Sequence, residues 1–227
     1  MKPIILLHGA IGAADQLQPL SDLLSKQKFK VFTLNFSGHG KTPFQTNFAI
    51  EKFAIELEEF ITTNNLMQPA VFGYSMGGYV ALYLAYKSPG LLGNIITLGT
   101  KFEWSPQIAQ KEIKMLDAKT ILEKVPKFAE VLKVRHGAEW EALLQKTAAM
   151  MLALGENNVL KENHFAAINN KVLIGLADHD TMVTLDETVT VFKQLKTGDM
   201  YMLPESKHPI ESVNVKILSQ IIENFLE

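Results

Sequence analysis

A serine flanked by two glycines is the residue of this sequence best suited to act as a nucleophile. Gly73, Ser75 and Gly77 fit the pattern G-x-S-x-G. The apolar run 70–72 before them indicates a strand, and the apolar run 80–85 after them indicates a buried helix. At a sharp turn from strand to helix, a serine hydroxyl projects from the sheet, where a base can reach it. The pattern therefore predicts a nucleophile at Ser75, with glycines where the turn is tightest.

A serine hydroxyl must lose its proton as it attacks, so the nucleophile needs a general base. Histidine suits this role because its ordinary pKa, about 6.5, lies near neutral pH. Of the six histidines, His208 lies between a strand-like and a helix-like segment. We therefore expect His208 in the loops at the edge of the sheet that also carries Ser75, and we predict that it is the base.

The elements that must position these residues alternate between short apolar strands and amphipathic helices. Between residues 50 and 63, apolar side chains recur at helical spacing. The strand-like runs are almost entirely apolar, as in parallel strands that are covered on both faces. This alternation predicts an α/β fold with a mostly parallel, doubly wound sheet of about six strands. The predicted strands are 3–7, 31–34, 70–73, 95–98, 172–176 and 200–203, and the predicted helices are 17–28, 50–63, 76–86, 185–195 and 210–226.

Residues 101–169 interrupt this alternation, because they show helical periodicity and no clear strand. Ser105 and Pro106 are typical of a helix N-cap and the first helical residue. We predict a small all-helical insertion over 101–169, between two parts of one core, 1–100 and 170–227.

Composition narrows the functional classes. The net charge is −2 and acids and bases are interspersed, which argues against a nucleic-acid partner. The chain has no cysteine, and His136, His164 and His179 lack the spacing of metal ligands, so no metal site is expected. No apolar segment reaches the roughly 18–20 residues of a membrane span, and the apolar run 4–7 is too short for a signal peptide. We expect a cytoplasmic protein with a small-molecule partner; the pattern does not distinguish a monomer from a homodimer.

Four segments resemble, in order, the landmarks of the α/β-hydrolase superfamily. Residues 8–12 are similar to the family's H-G loop after the first strand, and residues 36–42 to its P-G-H-G-x-S segment. Residues 73–78 resemble the nucleophile elbow, and His208 falls between the last strand and the last helix. The resemblance covers nearly all of the chain outside the insertion. The sequence departs from it at Asn35, where an aspartate is common, and by starting at the H-G strand without the usual antiparallel strands.

The resemblance implies a Ser-Asp-His triad and leaves two candidates for its acid. The family's G-x-x-D spacing, counted from Gly175, selects Asp178, whereas its D-x-x-V spacing, counted to Val183, selects Asp180. Asp180 leaves a strand of five residues, closer to the usual length than the three that Asp178 leaves. We therefore favour Asp180, and Asp178 is then a turn residue bonded to nearby backbone.

Two backbone N–H groups stabilise the oxyanion in this fold, one from the residue after the nucleophile and one from the loop after the first strand. The resemblance assigns these N–H groups to Met76 and Ala10, with Ile11 as the alternative to Ala10. Ile11 is also expected to contact the substrate. His8 and His39 are expected to be structural.

The insertion is expected to cover the site, by resemblance to the family's lid or cap. Its methionines and aromatics, among them Trp104 and Met151, are suited to line an acyl pocket, although packing between helices accounts for most of them. Arg135, the only arginine, is suited to clamp a substrate carboxylate, although a lone surface arginine is commoner.

The resemblance thus implies a serine hydrolase that cleaves a small carboxylic ester or thioester through an acyl-enzyme on Ser75 and needs no cofactor. Two alternatives stay open: C–C bond cleavage, lyase chemistry or peracid formation by the same triad, and a ligand receptor without turnover.

Overall fold

The computed structural model describes residues 1–227, and its centre is one six-stranded parallel sheet. The strand order is β2-β1-β3-β4-β5-β6, so the direction in which strands are added reverses at β1. In open α/β sheets, ligands bind beyond the carboxyl ends of the strands at such a reversal. The prediction of a doubly wound parallel sheet of about six strands is confirmed. The strands are β1 Lys2–Leu7, β2 Phe29–Leu34, β3 Ala70–Tyr74, β4 Ile95–Leu98, β5 Val172–Ala177 and β6 Gly198–Leu203.

Ten α-helices connect and cover the strands. The five of the core are α1 Gln18–Ser25, α2 Ile50–Thr63, α3 Met76–Lys87, α9 Leu185–Gln194 and α10 Val215–Leu226. Those between β4 and β5 are α4 Pro106–Glu112, α5 Ala118–Lys124, α6 Pro126–His136, α7 Trp140–Glu156 and α8 Glu162–Ala167. None of the ten is both long and apolar enough to cross a membrane.

The final helix begins later than the sequence pattern predicts. Residues 210–212 form a short 3₁₀ turn after Pro209, and α10 starts at Val215. The side chain of Asn214 accepts hydrogen bonds from the N–H groups of Lys216 and Ile217, so it supplies the N-cap. The prediction of one helix over 210–226 was therefore wrong at its first turn, because apolar spacing does not distinguish a 3₁₀ turn from the helix that follows it.

Alternate side chains of each buried strand enter two apolar layers on opposite faces of the sheet. Ile5 and Leu7 of β1 pack with α2 and α3, whereas Ile4 and Leu6 pack with α1 and α10. All four are fully buried, and each such side chain stabilises the fold by roughly 1.5–3 kcal/mol. The two layers fix the sheet, and hence the loops at its carboxyl edge.

The helices between β4 and β5 have a small apolar cluster of their own. Its buried members are Ile121, Ala129, Leu132, Trp140 and Leu144, from α5, α6 and α7. Met150 and Leu154 of α7 instead join the core layer beside α3. The helical segment is therefore packed internally and also joined to the core.

Candidate active site

Ser75 occupies the turn between β3 and α3 with a left-handed backbone, φ 51° and ψ −117°. This conformation is costly for a residue with a side chain and persists only where its surroundings enforce it. The Ser75 N–H donates to the Leu98 carbonyl at 2.8 Å, and the Thr100 hydroxyl donates to the Ser75 carbonyl at 3.0 Å. The end of the neighbouring strand β4 thus holds the turn from both sides.

Gly77 allows the start of α3 to approach the end of β1. A Cβ atom on Gly77 would lie 2.6 Å from the Leu7 carbonyl oxygen and 2.8 Å from that of His8. Both are backbone atoms, which cannot move aside cheaply. The second glycine of the motif is therefore required by close packing between the turn and β1.

His208 and Asp180 form a buried hydrogen-bonded pair. The Nδ1–H of His208 donates to Oδ2 of Asp180 at 2.7 Å. The other carboxylate oxygen of Asp180 accepts from the N–H groups of Met182 at 2.8 Å and Val183 at 2.9 Å. Burial opposes the charge of Asp180, but the bond and charge of His208, with these two N–H groups, hold the pKa of Asp180 below its usual range. The carboxylate is thus kept ionised and fixes the imidazole.

Asp178 lies two residues away and has different partners. Its carboxylate accepts from the N–H groups of Glu205 and Ser206, each at 2.9 Å, and contacts His179 at 3.0 Å. These bonds, that of Ser206 above all, lower the pKa of Asp178. Asp178 therefore ties down the loop that precedes His208, whereas Asp180 contacts the imidazole itself.

Tyr74, next to the serine, also holds the histidine loop. Its hydroxyl donates to the His208 carbonyl at 2.9 Å, and the two rings lie 5.6 Å apart. The sequence does not indicate this contact, since a tyrosine inside the elbow motif gives no signal of a partner 134 residues away.

Ala10 and Met76 line the same cavity as Ser75. Ala10 follows β1, and its N–H makes no hydrogen bond within the protein. Met76 is the first residue of α3, where N–H groups have no partner inside the helix. The loop that carries Ala10 turns at the next residue, Ile11, which has φ 50°. Two N–H groups without a partner in the protein are therefore present, one at the start of α3 and one in the loop after β1.

Ser75 lies where two cavities meet. Ten of the fourteen residues that line the inner cavity are hydrophobic. The outer cavity extends over the loop after β1 towards α6. Ser75 and His208 line both, although no hydrogen bond joins the Ser75 hydroxyl to the His208 ring. Such contacts often tighten only when substrate is bound.

The residues predicted to contact substrate divide between these cavities. Trp104 lines the inner cavity, Met151 lines both, and Ile11 and Arg135 line the outer one. Arg135 already has acidic partners, Asp15 at 3.2 Å and Glu211 at 3.6 Å. Its charge is therefore balanced within the protein, which weakens the expectation that it clamps a substrate carboxylate.

His8, the first residue after β1, and His39 are both fully buried. His8 donates from Nδ1 to the Gly9 carbonyl at 2.8 Å and accepts from the Phe36 N–H at 3.2 Å, which defines a neutral imidazole. Burial lowers the pKa of His8 to about 4 and also holds the pKa of His39 well below its usual value. Neither ring lines the cavities that Ser75 borders.

Two charged residues that line the inner cavity, Lys101 and Glu112, are not among the predicted site residues. Lys101 follows β4 in the chain, so its place at the carboxyl edge of the sheet was a usable signal. Glu112, at the end of α4, gave no signal, because its position depends on how that helix packs against the core. No group of three or more acidic or histidine side chains is arranged to hold a metal ion.

Comparison with known families identifies the class of protein that this fold and site define. The family model of the alpha/beta hydrolase fold matches residues 2–132, more than half of the chain. The chain therefore belongs to the alpha/beta hydrolase family, and the resemblance found in its sequence motifs is confirmed.

The curated relatives include acyltransferases. Ethanol acetyltransferase 1 of Hanseniaspora uvarum is 28% identical over 111 residues, which cover 47% of this chain and 32% of the relative. Ethanol acetyltransferase 1 of Cyberlindnera jadinii is 23% identical over 193 residues, which cover 84% of this chain and 54% of the relative. The chain thus spans about a third to a half of the length of these relatives.

Solved structures match over the whole chain. A thermophilic esterase from Thermogutta terrifontis has a TM-score of 0.80 at 18% identity. The match covers 100% of this chain and 89% of the esterase chain. The 2-hydroxy-6-oxo-6-phenylhexa-2,4-dienoate hydrolase from a Rhodococcus species has a TM-score of 0.79 at 20% identity. The match covers 100% of this chain and 91% of the hydrolase chain. At these identities the likeness shows the fold alone.

Proposed function

We propose that this protein hydrolyses small carboxylic esters or thioesters through an acyl-enzyme on Ser75. The observation that carries the proposal is the 2.7 Å hydrogen bond between His208 and Asp180, at a cavity that also holds the strained Ser75. A serine on a strained turn, a histidine and a buried carboxylate together supply the nucleophile, the base and the group that orients the base.

Each residue has a defined role in the proposed reaction. His208 removes the proton of Ser75 as the serine oxygen attacks the ester carbonyl, while Asp180 stabilises the imidazolium. The N–H groups of Ala10 and Met76 bind the oxyanion. His208 then protonates the departing alcohol or thiol, which leaves the acyl group on Ser75. A water molecule, deprotonated by His208, releases the acid and restores the serine.

We propose further that residues 101–169 form a lid on a core made of 1–100 and 170–227. The support is that Trp104, Met150, Met151 and Leu154 of this segment line the inner cavity beside Ser75. These side chains are apolar and exclude water, which favours a substrate with an apolar part.

A second candidate reaction is transfer of the acyl group to an alcohol. The likeness to ethanol acetyltransferases favours it. The chemistry requires no additional residue, because an alcohol can replace water as the group that His208 deprotonates and that attacks the acyl-enzyme.

The first test is labelling with a fluorophosphonate probe, with the adduct mapped by mass spectrometry. We expect a single adduct on Ser75 and none in Ser75→Ala. Turnover is then followed with p-nitrophenyl esters of increasing acyl length. Labelling elsewhere, or none, contradicts the proposed nucleophile, whereas one slow acylation without turnover supports a receptor.

Product analysis in the presence of ethanol separates hydrolysis from transfer. We expect free acid as the main product for a hydrolase and ethyl ester for a transferase. Both products must disappear in Ser75→Ala, which serves as the control for uncatalysed exchange.

A further inference from the structure

A group of three charged side chains lies at the mostly apolar inner cavity. Lys101 and Glu112 line the cavity, and Glu187 lies behind them. The Lys101 ammonium is 3.8 Å from Glu112 and 3.7 Å from Glu187, and it donates to the Met182 carbonyl at 2.9 Å.

The carboxylate of Glu187 is fully used within the protein. One oxygen accepts from the N–H groups of Phe102 at 3.1 Å and Glu103 at 2.9 Å. The other accepts from the Thr184 N–H at 2.7 Å, in the capping box of α9. Glu187 therefore fixes the start of the insertion and has little capacity left for a ligand.

Glu112 is in the opposite situation. Glu112 is only 5% exposed, and its carboxylate accepts no hydrogen bond within the protein. Its one contact with an opposite charge is the long ion pair with Lys101. The carboxylate oxygens are not among the fully buried polar atoms that lack a partner, so they remain open to the cavity and able to accept a hydrogen bond. Because Glu112 lines both the inner and the outer cavity, a ligand beside Ser75 can supply a donor to this carboxylate.

The charges of this group do not cancel. Two carboxylates face one ammonium, which leaves one negative charge in excess beside the reacting serine. Asp180 is bound to His208, and the Arg135 guanidinium at the outer cavity is paired with Asp15 and Glu211. A substrate carboxylate would thus meet net repulsion here, whereas a hydroxyl or ammonium would find an acceptor.

We propose that Glu112 is a specificity residue that accepts a hydrogen bond from a hydroxyl or ammonium group of the substrate. It selects compounds with an apolar body and a donor-bearing end, and it rejects compounds that end in a carboxylate. The inference rests on the proposed ester chemistry and narrows its substrate class.

The test uses sets of three esters that differ only in their end group, which is a methyl, a hydroxymethyl or a carboxylate. The end groups are placed on acyl chains of increasing length and, in a second series, on the alcohol part of acetate esters. In the best set, we expect the hydroxyl ester to exceed the carboxylate ester in kcat/KM by roughly ten- to hundredfold, the usual range for a hydrogen bond to a charged group.

Glu112→Gln should remove most of this preference, measured as the kcat/KM of the hydroxyl ester relative to those of the methyl-ended and carboxylate esters. Glu103→Gln is the matched control, because Glu103 is exposed and lines neither cavity. If Glu112→Gln fails to fold, the double variant Lys101→Met/Glu112→Gln removes both charges together and should show the same loss. Equal changes for all three end groups would mean that Glu112 only balances Lys101, which contradicts the proposal.

Binding of the corresponding ketones, measured by calorimetry, gives the same preference without turnover. Ketones resist hydrolysis but keep the shape of the esters. An absence of ester turnover contradicts the proposed function alone, whereas equal affinity for hydroxyl and carboxylate ketones contradicts the role of Glu112 alone.

Discussion

At the scale of residues, the two aspartates after β5 divide two tasks. Asp180 holds the imidazole of His208, and Asp178 holds the backbone of the loop that carries it. Both have a lowered pKa, but only that of Asp180 depends on His208. Substitution of each aspartate should therefore affect different properties.

We expect Asp180→Asn to lower kcat for ester hydrolysis by roughly 10⁴, the size of the loss when the acid of a comparable triad becomes an amide. The amide cannot stabilise the imidazolium and favours the wrong tautomer. Asp178→Asn should keep most of kcat but lower the unfolding temperature, because the loop at 205–206 loses charged acceptors. Steady-state kinetics and thermal unfolding of both variants measure this. A large kcat loss in Asp178→Asn alone would assign the triad acid to Asp178.

Residues in the local motifs could be predicted from the sequence, whereas residues placed by helix packing could not. Ser75 directly follows β3, and His208 lies in the loop between β6 and the last helix, so a local pattern indicates the edge of the sheet at which each residue lies. Lys101 shares that signal, since it follows β4. Glu112 is brought to the cavity only by the packing of α4, which no local pattern specifies.

At the scale of elements, the turn after β4 can pack closely against the site because Gly99 has no side chain. Gly99 has φ 59°, a conformation that favours glycine. A Cβ atom there would lie 3.3 Å from both Asp180 Oδ2 and His208 Nδ1. The end of β4 thus packs directly against the hydrogen bond of the proposed triad.

We expect Gly99→Ala to displace the His208–Asp180 pair and to reduce kcat strongly. Gly90→Ala is the matched control, because Gly90 has φ 85° and no atom within 4 Å of its would-be Cβ. Both variants should lose stability from the left-handed backbone, roughly 1–2 kcal/mol each. Steady-state kinetics measures the loss of kcat, and urea unfolding measures the loss of stability, so the two effects can be separated. Equal activity in both variants would show that the contact at Gly99 is not needed.

Element types were easier to predict than element boundaries. Apolar runs identified all six strands, but β2 begins at Phe29 and β6 at Gly198, each two residues before the predicted start. Pairing with a neighbouring strand extends both: Phe29 aligns with Lys2, and Gly198 with Val172. Such pairing partners are distant in sequence, so the spacing of apolar residues along the chain does not indicate them.

At the scale of the whole molecule, a row of histidines joins the helical insertion to the core. The rings of His8 and His39 lie 4.8 Å apart, and those of His39 and His136 lie 6.2 Å apart. His136 of α6 donates to the Ile11 carbonyl at 2.9 Å and accepts from the Gly40 N–H at 3.1 Å. Burial lowers the pKa of all three. The contact between insertion and core therefore requires neutral imidazoles.

This row should make the fold sensitive to mild acid. The unfolded chain takes up a proton on His8 near pH 6.5, whereas the folded chain, with a pKa of about 4, does not, so stability is lost as the pH falls below 6.5. We expect the unfolding free energy to fall by about 2 kcal/mol between pH 7 and pH 5 from His8 alone. Urea unfolding at both pH values measures this change. His8→Asn should show a smaller fall, and His179→Asn, at an exposed histidine, should keep the wild-type fall. An unchanged fall in His8→Asn would show that other groups cause the acid sensitivity.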